Sequence, residues 1–167
     1  MAIRTALAED VGEIARLHVS VWQAAYRGQV PDSYLDGLEP SQRVVMWSRV
    51  IQEPTALVLV AVESATIVGF CSSLPSRDPD ASSSVAEISA LYVDAARWRS
   101  GHGTQLLEAA IESARTRRFR EMTLWVLAAS SSARAFYEAC GFSADPLTKT
   151  EQRPGFTLLE TRYRRTI

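Results

Sequence analysis

One short loop holds the residues of this sequence best suited to binding an anion. It reads Arg99-Ser100-Gly101-His102-Gly103-Thr104 and lies between a predicted strand and an amphipathic helix. Its two glycines permit unusual φ angles and close approach of a ligand, and the free N–H groups that open the helix attract negative charge. The loop therefore predicts a phosphate or diphosphate site. A plain turn is the alternative, and Leu106 breaks the G-x-G-x-x-G pattern of dinucleotide folds.

A carboxylate stands in the apolar segment Val85–Val93, which is predicted to be a strand. Regular alternation places Glu87 on one face with Ser89, Leu91 and Val93. An acid among apolar residues must be solvated, paired with a cation or used in chemistry. Glu87 is therefore a candidate general base, and the alternative is a carboxylate at the start of a strand that only meets solvent or an arginine.

The elements that must position these residues alternate between strands and helices. Apolar spacing, Pro40 at a first helical position and Gly141 after a last one give their approximate bounds. They indicate one three-layer α/β domain over residues 1–167. Strands are expected over 2–6, 56–63, 66–72, 85–93, 121–127, 142–148 and 157–164, and helices over 9–26, 32–38, 40–52, 104–118 and 131–140.

Composition narrows the class of protein. The chain has 167 residues, of which 47% are hydrophobic and 22% charged, as in globular proteins. Its longest aliphatic run, Ala56–Val62, is too short to span a bilayer, and Met1–Asp10 has no apolar signal core. Cys71 and Cys140 form neither a zinc spacing nor a disulfide framework. We expect a cytoplasmic protein with no metal site and no membrane partner.

Charge is unevenly distributed along the chain. Its net charge of −1 argues against general binding of nucleic acid. Residues 1–94 carry 6 arginines and 12 acids, whereas residues 95–167 carry 12 basic and 7 acidic residues. This asymmetry suggests an anionic ligand on the C-terminal half and a cationic one on the N-terminal half. Chance patterning of a solvated surface is the alternative, and charge alone favours it.

Three segments, in order, resemble the GCN5-related N-acetyltransferase (GNAT) family. Ala90–Asp94 followed by Gly101-x-Gly103 resembles its acetyl-CoA motif, and Ala133–Phe142 resembles its A-x-x-F-Y-x-x-x-G-F segment. Leu17–Leu35 is similar to the opening of many bacterial members. The resemblance covers nearly the whole chain. It implies a mixed, mostly antiparallel sheet of about seven strands flanked by helices, with acetyl-CoA as co-substrate and no metal.

The resemblance also implies roles for individual residues. Glu87 has the same offset from Gly101 as the base glutamate of the histone-acetyltransferase branch, and it would act directly or through water. Tyr137 aligns with the tyrosine near the sulfur of coenzyme A and would be the acid, although a helix of this pattern also buries such a ring as plain core. His102 is expected to contribute its backbone only. The expected cofactor contacts are Leu91, Tyr92, Val93, Arg99, Ser100, Gly101, His102, Gly103, Thr104, Ser130 and Arg134.

An acceptor pocket is expected around Trp22, Tyr26 and Tyr34, whose rings could enclose an alkyl amine, although their spacing alone indicates core. His18 is expected to be a hydrogen-bonded histidine rather than a catalytic one, and Cys140 a packed thiol. Two positions depart from the family pattern: Trp98 replaces an Arg or Gln, and Ser130 replaces an Asn.

The implied function is transfer of an acetyl group from acetyl-CoA to a primary amine of a small molecule, peptide or protein, by direct attack in a ternary complex. The two departures leave a second hypothesis open, a non-catalytic acyl-CoA-binding regulatory module. A third is a dimerisation domain in which the glycine loop is only a turn. Family members often form homodimers, and the sequence leaves that state open for this chain.

Overall fold

A seven-stranded sheet forms the centre of the computed structural model, which describes residues 1–167. The order of its strands is β1-β2-β3-β4-β5-β7-β6. Neighbouring strands are antiparallel except for β4 and β5, which are parallel. The strands are β1 (Ala2–Thr5), β2 (Leu57–Glu63), β3 (Thr66–Pro75), β4 (Val85–Val93), β5 (Glu121–Leu127), β6 (Ser143–Arg153) and β7 (Phe156–Thr166).

Helices cover both faces of the sheet, so the expected three-layer α/β fold is confirmed. The first and third helices pack on one face, and the fourth and fifth pack on the other. Short 3-10 turns precede the first and fourth helices. The helices are α1 (Val11–Ala25), α2 (Asp32–Asp36), α3 (Pro40–Gln52), α4 (His102–Thr116) and α5 (Ser131–Ala139). None of them is both long and apolar enough to cross a membrane.

Each face of the sheet has its own apolar core, as the helix periodicities require. On α4, Leu106, Leu107, Ala110, Ile111 and Ala114 form one stripe and are buried against the sheet. The other core lies beneath α1 and α3. The sheet is therefore buried on both sides, and a ligand can reach its middle only where strands or helices separate.

The last hairpin is longer than the sequence predicts. Strands β6 and β7 continue to a turn at Gly155, which has φ of +84°. The segment 149–153 (KTEQR) is entirely polar, so it lacks the alternation from which a strand is recognised. Helix α4, in turn, begins at His102, two residues before its expected start.

A bulge interrupts the pairing of β4 with β3. The Cα partners are Ser72 with Ala90 and then Ser73 with Ile88, so Ser89 has no partner on β3. The Ser89 hydroxyl instead lies 3.0 Å from the Ser72 hydroxyl. Such an extra residue bends the strand and shifts its alternation by one.

This bulge determines the face on which Glu87 lies. Its neighbours Ala86 and Ile88 pack in the core beneath α4, as do Leu91 and Val93 beyond the bulge. Because successive side chains alternate, Glu87 points to the opposite face, toward α1. The expectation that Glu87 shares a face with Leu91 and Val93 is therefore wrong, because it assumed regular pairing.

His18 of α1 is enclosed by aromatic rings in the second core. Trp47 donates a hydrogen bond from Nε1 to His18 Nδ1 (3.1 Å), and the ring centroid of Tyr92 lies 5.0 Å away. Burial lowers the pKa of His18 to about 3, with a smaller contribution from Arg43. The imidazole is therefore neutral near pH 7. Its Nε2 is buried without a hydrogen-bond partner. The expected hydrogen-bonded histidine therefore has a partner at one ring nitrogen only.

We predict that His18 makes the free energy of unfolding depend on pH. Its native pKa lies below the ordinary value of 6.5, so the unfolded state binds the extra proton as the pH falls. Stability therefore decreases from about pH 6.5 downward, with a slope approaching about 1.4 kcal/mol per pH unit. Urea unfolding between about pH 7 and pH 5 measures this slope. The same slope in His18→Gln would contradict the assignment.

Candidate active site

Strands β4 and β5 pair over a short stretch and then separate. Their parallel pairing joins Val85–Ile88 to Glu121–Leu124. Beyond it, β4 pairs with β3 alone, and a cavity of about 990 Å³ opens between the two strands. Parts of α1, α5 and the loop before α4 complete its wall. Because buried peptide groups are nearly always paired, the free edge of β4 is suited to a ligand that bonds to the backbone.

The glycine loop forms one end of this cavity. Gly101 has φ of +87°, a left-handed conformation that favours glycine, and helix α4 starts directly after it. Gln105 N–H donates to Gly101 C=O (3.0 Å), so the amides of the first helical turn have no intrahelical acceptor. Of the six loop residues predicted to contact a ligand, Arg99, Gly101, Gly103 and Thr104 line the cavity, whereas Ser100 and His102 do not.

Gly103 serves helix packing as well as ligand approach. A Cβ atom at this position would lie 3.3 Å from Cζ of Phe136 on α5. That distance is tighter than most Cβ contacts, so a larger residue would push α4 and α5 apart. The glycine thus allows both helices to converge beside the cavity.

Side chains behind the loop hold it in place. His102 donates from Nε2 to Glu63 Oε1 (2.7 Å), and Arg97 donates from Nε to Glu63 Oε2 (2.9 Å). Arg97 and His102 both lower the pKa of the Glu63 carboxyl below its ordinary value. The Ser100 hydroxyl lies 2.7 Å from His102 Nδ1 and also donates to the Arg97 carbonyl. The buried ring of His102 therefore links the loop to the end of β2, and the role of its backbone toward a ligand stays a prediction.

Tyr137 belongs to the cavity wall on the α5 side. Its ring packs edge-on against Phe136 and Phe142. Burial raises the pKa of Tyr137 well above that of an ordinary phenol. The side chain therefore keeps its proton at neutral pH and can act as a donor.

Aromatic residues line the cavity on the α1 side. Trp22 donates from Nε1 to the Tyr92 hydroxyl (2.9 Å) and packs edge-on against Tyr26, with centroids 4.9 Å apart. Burial raises the pKa of Tyr26 and of Tyr92, so both hydroxyls are neutral. Tyr34, the third aromatic residue predicted for this pocket, packs against Phe156 and is not on the cavity wall.

Glu87 lies beside the point where β4 and β5 separate, but it is not on the wall of the large cavity. It is buried and borders a second, polar cavity of about 480 Å³ together with Arg77, Lys149 and Glu151. Arg77 donates from Nη2 to Glu87 Oε1 (2.5 Å) and from its backbone N–H to Oε2 (3.2 Å). Glu151 borders both cavities, so they adjoin.

Besides Ser100 and His102, two more residues predicted to bind the cofactor are absent from the cavity wall. Ser130 is buried just before α5. Arg134 donates from Nε to the Tyr163 hydroxyl (3.1 Å) and from Nη1 to the Ala128 carbonyl (3.3 Å). Its guanidinium is therefore turned toward the protein. The α5 side of the wall is formed instead by Ser132, Ala133, Ala135, Phe136 and Tyr137.

The cavity wall also contains residues that the sequence did not single out. Trp125 of β5, Glu151 of β6 and Glu160 of β7 lie at its α1 end. Glu160 is an acidic residue beside apolar residues of a predicted strand. The same pattern singled out Glu87 and could also have identified Glu160. Trp98 lines the opposite end and donates from Nε1 to the Val93 carbonyl (2.7 Å).

A buried arginine holds the segment 76–84 against the sheet near Glu87. Arg162 of β7 donates from both Nη atoms to Asp80 (2.6 and 2.7 Å), and also to Asp78 and Asp145. These carboxylates raise the pKa of Arg162 above its already high value. Asp78 also accepts from Trp125 Nε1 (3.0 Å), so the cluster fixes one ring of the cavity wall. No group of three or more His, Cys, Asp or Glu side chains is arranged to hold a metal ion.

Comparisons with known proteins agree with this architecture. The sequence model described as the acetyltransferase (GNAT) family matches residues 19–142. An uncharacterized N-acetyltransferase of Bacillus subtilis (strain 168), YuaI, is 29% identical over 140 residues, which are 83% of this chain and 78% of that protein.

Solved structures share the fold at low sequence identity. The PaiA N-acetyltransferase of Thermoplasma acidophilum, in complex with coenzyme A, has a TM-score of 0.77 at 20% identity, with both chains fully covered. The ribosomal-protein-alanine N-acetyltransferase of Brucella melitensis has a TM-score of 0.75 at 22% identity, also over both full chains. YncA of Salmonella typhimurium, with its cofactor acetyl-CoA, has a TM-score of 0.75 at 21% identity over 99% of this chain and 93% of that one.

We predict that Glu63→Ala weakens binding of inorganic diphosphate at the loop before α4 by about fivefold. The substitution removes two charge-assisted hydrogen bonds that hold the loop before α4. Isothermal titration calorimetry measures the affinity. Glu112→Ala, which removes an exposed carboxylate of α4, is the matched control. Equal affinity in the two variants would show that the Glu63 contacts do not support the loop.

Proposed function

This chain belongs to the acetyltransferase (GNAT) family, and we propose that it passes the acetyl group of acetyl-CoA directly to a primary amine. The observation that carries this proposal is the cavity that runs between β4 and β5 from one face of the sheet to the other. Its α4 end offers helix amides and arginines, and its α1 end offers aromatic rings and carboxylates. One reactant would occupy each end, and they would meet where the strands separate.

The α4 end fits the cofactor. Free amides at a helix start bind a diphosphate well, and Arg97 and Arg99 on the same wall add positive charge. The unpaired edge of β4, from Ala90 to Val93, would bond to the amide groups of the pantetheine arm as a neighbouring strand would. An N–H of the same edge would polarise the thioester carbonyl.

At the α1 end the protein must take a proton from the amine. With a pKa of about 10.4, only about 4 in 10,000 alkyl amines are neutral at pH 7, and only the neutral form attacks. Glu87 points to this face, and its carboxylate is held in place by the ion pair with Arg77. Because Glu87 is not on the wall of the large cavity, we assign it the role of a base that acts through an intervening water.

Tyr137 is suited to the opposite proton transfer. The amine nitrogen bonds to the acetyl carbon as the carbon–sulfur bond breaks, and the sulfur leaves with the electron pair. Tyr137 lies on the cofactor side of the cavity and retains its proton at neutral pH, so it would give that proton to the sulfur. The acylated nitrogen then loses its extra proton to water, and the Tyr137 phenolate regains a proton from solvent. The products are an N-acetyl amine and coenzyme A.

The proposed function is tested by release of free thiol from acetyl-CoA in the presence of a panel of primary amines. We expect amine-dependent release and an equal yield of acetylated amine by mass spectrometry. Tyr137→Phe should lower kcat about 100-fold, the usual scale for loss of a general acid, and should change the affinity for coenzyme A much less. Absence of thiol release with every amine would contradict the transferase proposal. A fully active Tyr137→Phe variant would contradict only the role of Tyr137 as the acid.

For Glu87→Gln we expect a rate deficit that grows as the pH falls. An amine is most protonated at low pH, so loss of the base should cost most near pH 6 and least near pH 9. The ratio of wild-type to variant kcat/KM across this range is the measurement. Arg77→Gln keeps the carboxylate and is the matched comparison, for which we expect the wild-type shape of the profile. Parallel profiles for wild type and Glu87→Gln would exclude Glu87 as the base.

A further inference from the structure

We propose that the amine acceptor carries a second cationic group, and that Glu160 together with the ring of Trp125 binds it. This inference rests on the proposed function and adds the chemical class of the substrate. It comes from how charge is placed around the large cavity and from what already lies beside Glu160.

The two ends of the cavity differ in charge. The basic residues on its wall, Arg97 and Arg99, belong to the loop before α4. The acidic residues on its wall, Glu151 and Glu160, lie at the α1 end with the rings of Trp22, Tyr26 and Trp125. Carboxylates beside aromatic faces attract ammonium groups, because both present negative charge to the cation.

The position beside Glu160 and Trp125 already holds an ammonium group of the protein itself. Lys149, the single lysine of the chain, has its Nζ 4.3 Å from the centroid of the Trp125 ring and 3.4 Å from Glu160 Oε2. The Lys149 side chain is 45% exposed. Exposed ion pairs of this kind are weak, so a substrate ammonium that approaches from the cavity can take the place of Nζ.

Glu160 is the carboxylate of this group that remains available. Its charged partner in the structure is Lys149, whereas Glu151 pairs with Arg153 (2.7 Å). Arg162 also lies near the Trp125 ring, at 5.8 Å, but its charge is balanced by Asp78, Asp80 and Asp145. A ligand cation at Trp125 therefore meets negative charge from Glu160, and the charge of Arg162 is already neutralised.

The cavity wall beside Glu160 fixes the remainder of the acceptor. It includes Leu127 of β5, the strand partner of Glu160, and Leu158 of β7, both apolar. The reacting amine must reach the strand separation while the second cation stays at Glu160. An amine joined to a cation by a short apolar spacer meets both requirements.

The experiment compares three acceptors that differ only at the far end of a four-carbon chain: diaminobutane, butylamine and aminobutyrate. We expect kcat/KM to be highest for the diamine, lower for butylamine, and lowest for aminobutyrate, whose carboxylate faces Glu160. The diamine-to-butylamine ratio should be about five or more, the scale of one partly exposed ion pair with a ring contact. A ratio near one, or a preference for aminobutyrate, would overturn the inference.

Two substitutions should change this ratio in opposite directions. Glu160→Gln should lower it about fivefold because the carboxylate is lost. Lys149→Gln should raise it about two- to fivefold because the competing ammonium is lost, and a folding defect does not produce such a gain. If Lys149→Gln lowers the ratio, or if Glu160→Gln leaves it as it is, the assignment of Glu160 is wrong.

The outcomes also separate this inference from the function on which it rests. If no amine of any charge is acetylated, the transferase proposal fails. If butylamine and the diamine are acetylated equally well, the transferase proposal stands and only the second cationic group is refuted. A lysine-containing peptide tested alongside distinguishes the source of the cation: faster transfer to it than to the diamine would assign the same charge to a peptide.

Discussion

The site depends on the fact that β4 and β5 pair for four residues and then part. The last pair, Ile88 with Leu124, directly precedes the bulge at Ser89. A bulge bends its strand, so the extra residue accounts for the separation at this point. Everything assigned to the two reactants lies around the resulting gap, because it is the place where both faces of a doubly covered sheet can be reached. The same bulge places Glu87 on the α1 face.

Long-range contacts hold the parts around this gap. Glu63, at the end of β2, holds His102 and Arg97 of a loop more than thirty residues away in sequence. Arg162 of β7 holds Asp78 and Asp80 of the segment after β3. Charged hydrogen bonds of fixed geometry suit this purpose, because they orient a loop as well as attach it. The cavity wall is thus held together by contacts between elements whose local sequence patterns do not reveal them.

Local signals predicted the fold well. Bounds such as Pro40–Gln52, Val85–Val93 and Glu121–Leu127 follow from periodicity and from Pro or Gly at the ends, and the structure has them unchanged. The glycine loop likewise follows from residue type, because left-handed backbone and an exposed helix start are local properties. The tyrosine of α5 came from a family resemblance, and the structure places it on the cavity wall.

Properties that depend on pairing were not predictable in this way. One unpaired serine reversed the face of Glu87, and hydrogen bonds to residues distant in sequence turned Arg134 and His102 away from the cavity. The charge asymmetry of the chain likewise did not identify the acidic residues of the cavity wall. Glu151 and Glu160 come from the more basic C-terminal half and lie on that wall because β6 and β7 fold back beside β5.

A cavity lined from both faces of the sheet also has a kinetic meaning. With one proposed reactant on each side, neither would have to pass the other in order to bind or to leave. The architecture by itself imposes no compulsory order of addition, and a product on one side does not trap its counterpart. Any preferred sequence of events must therefore come from energetic coupling across the gap and not from obstruction.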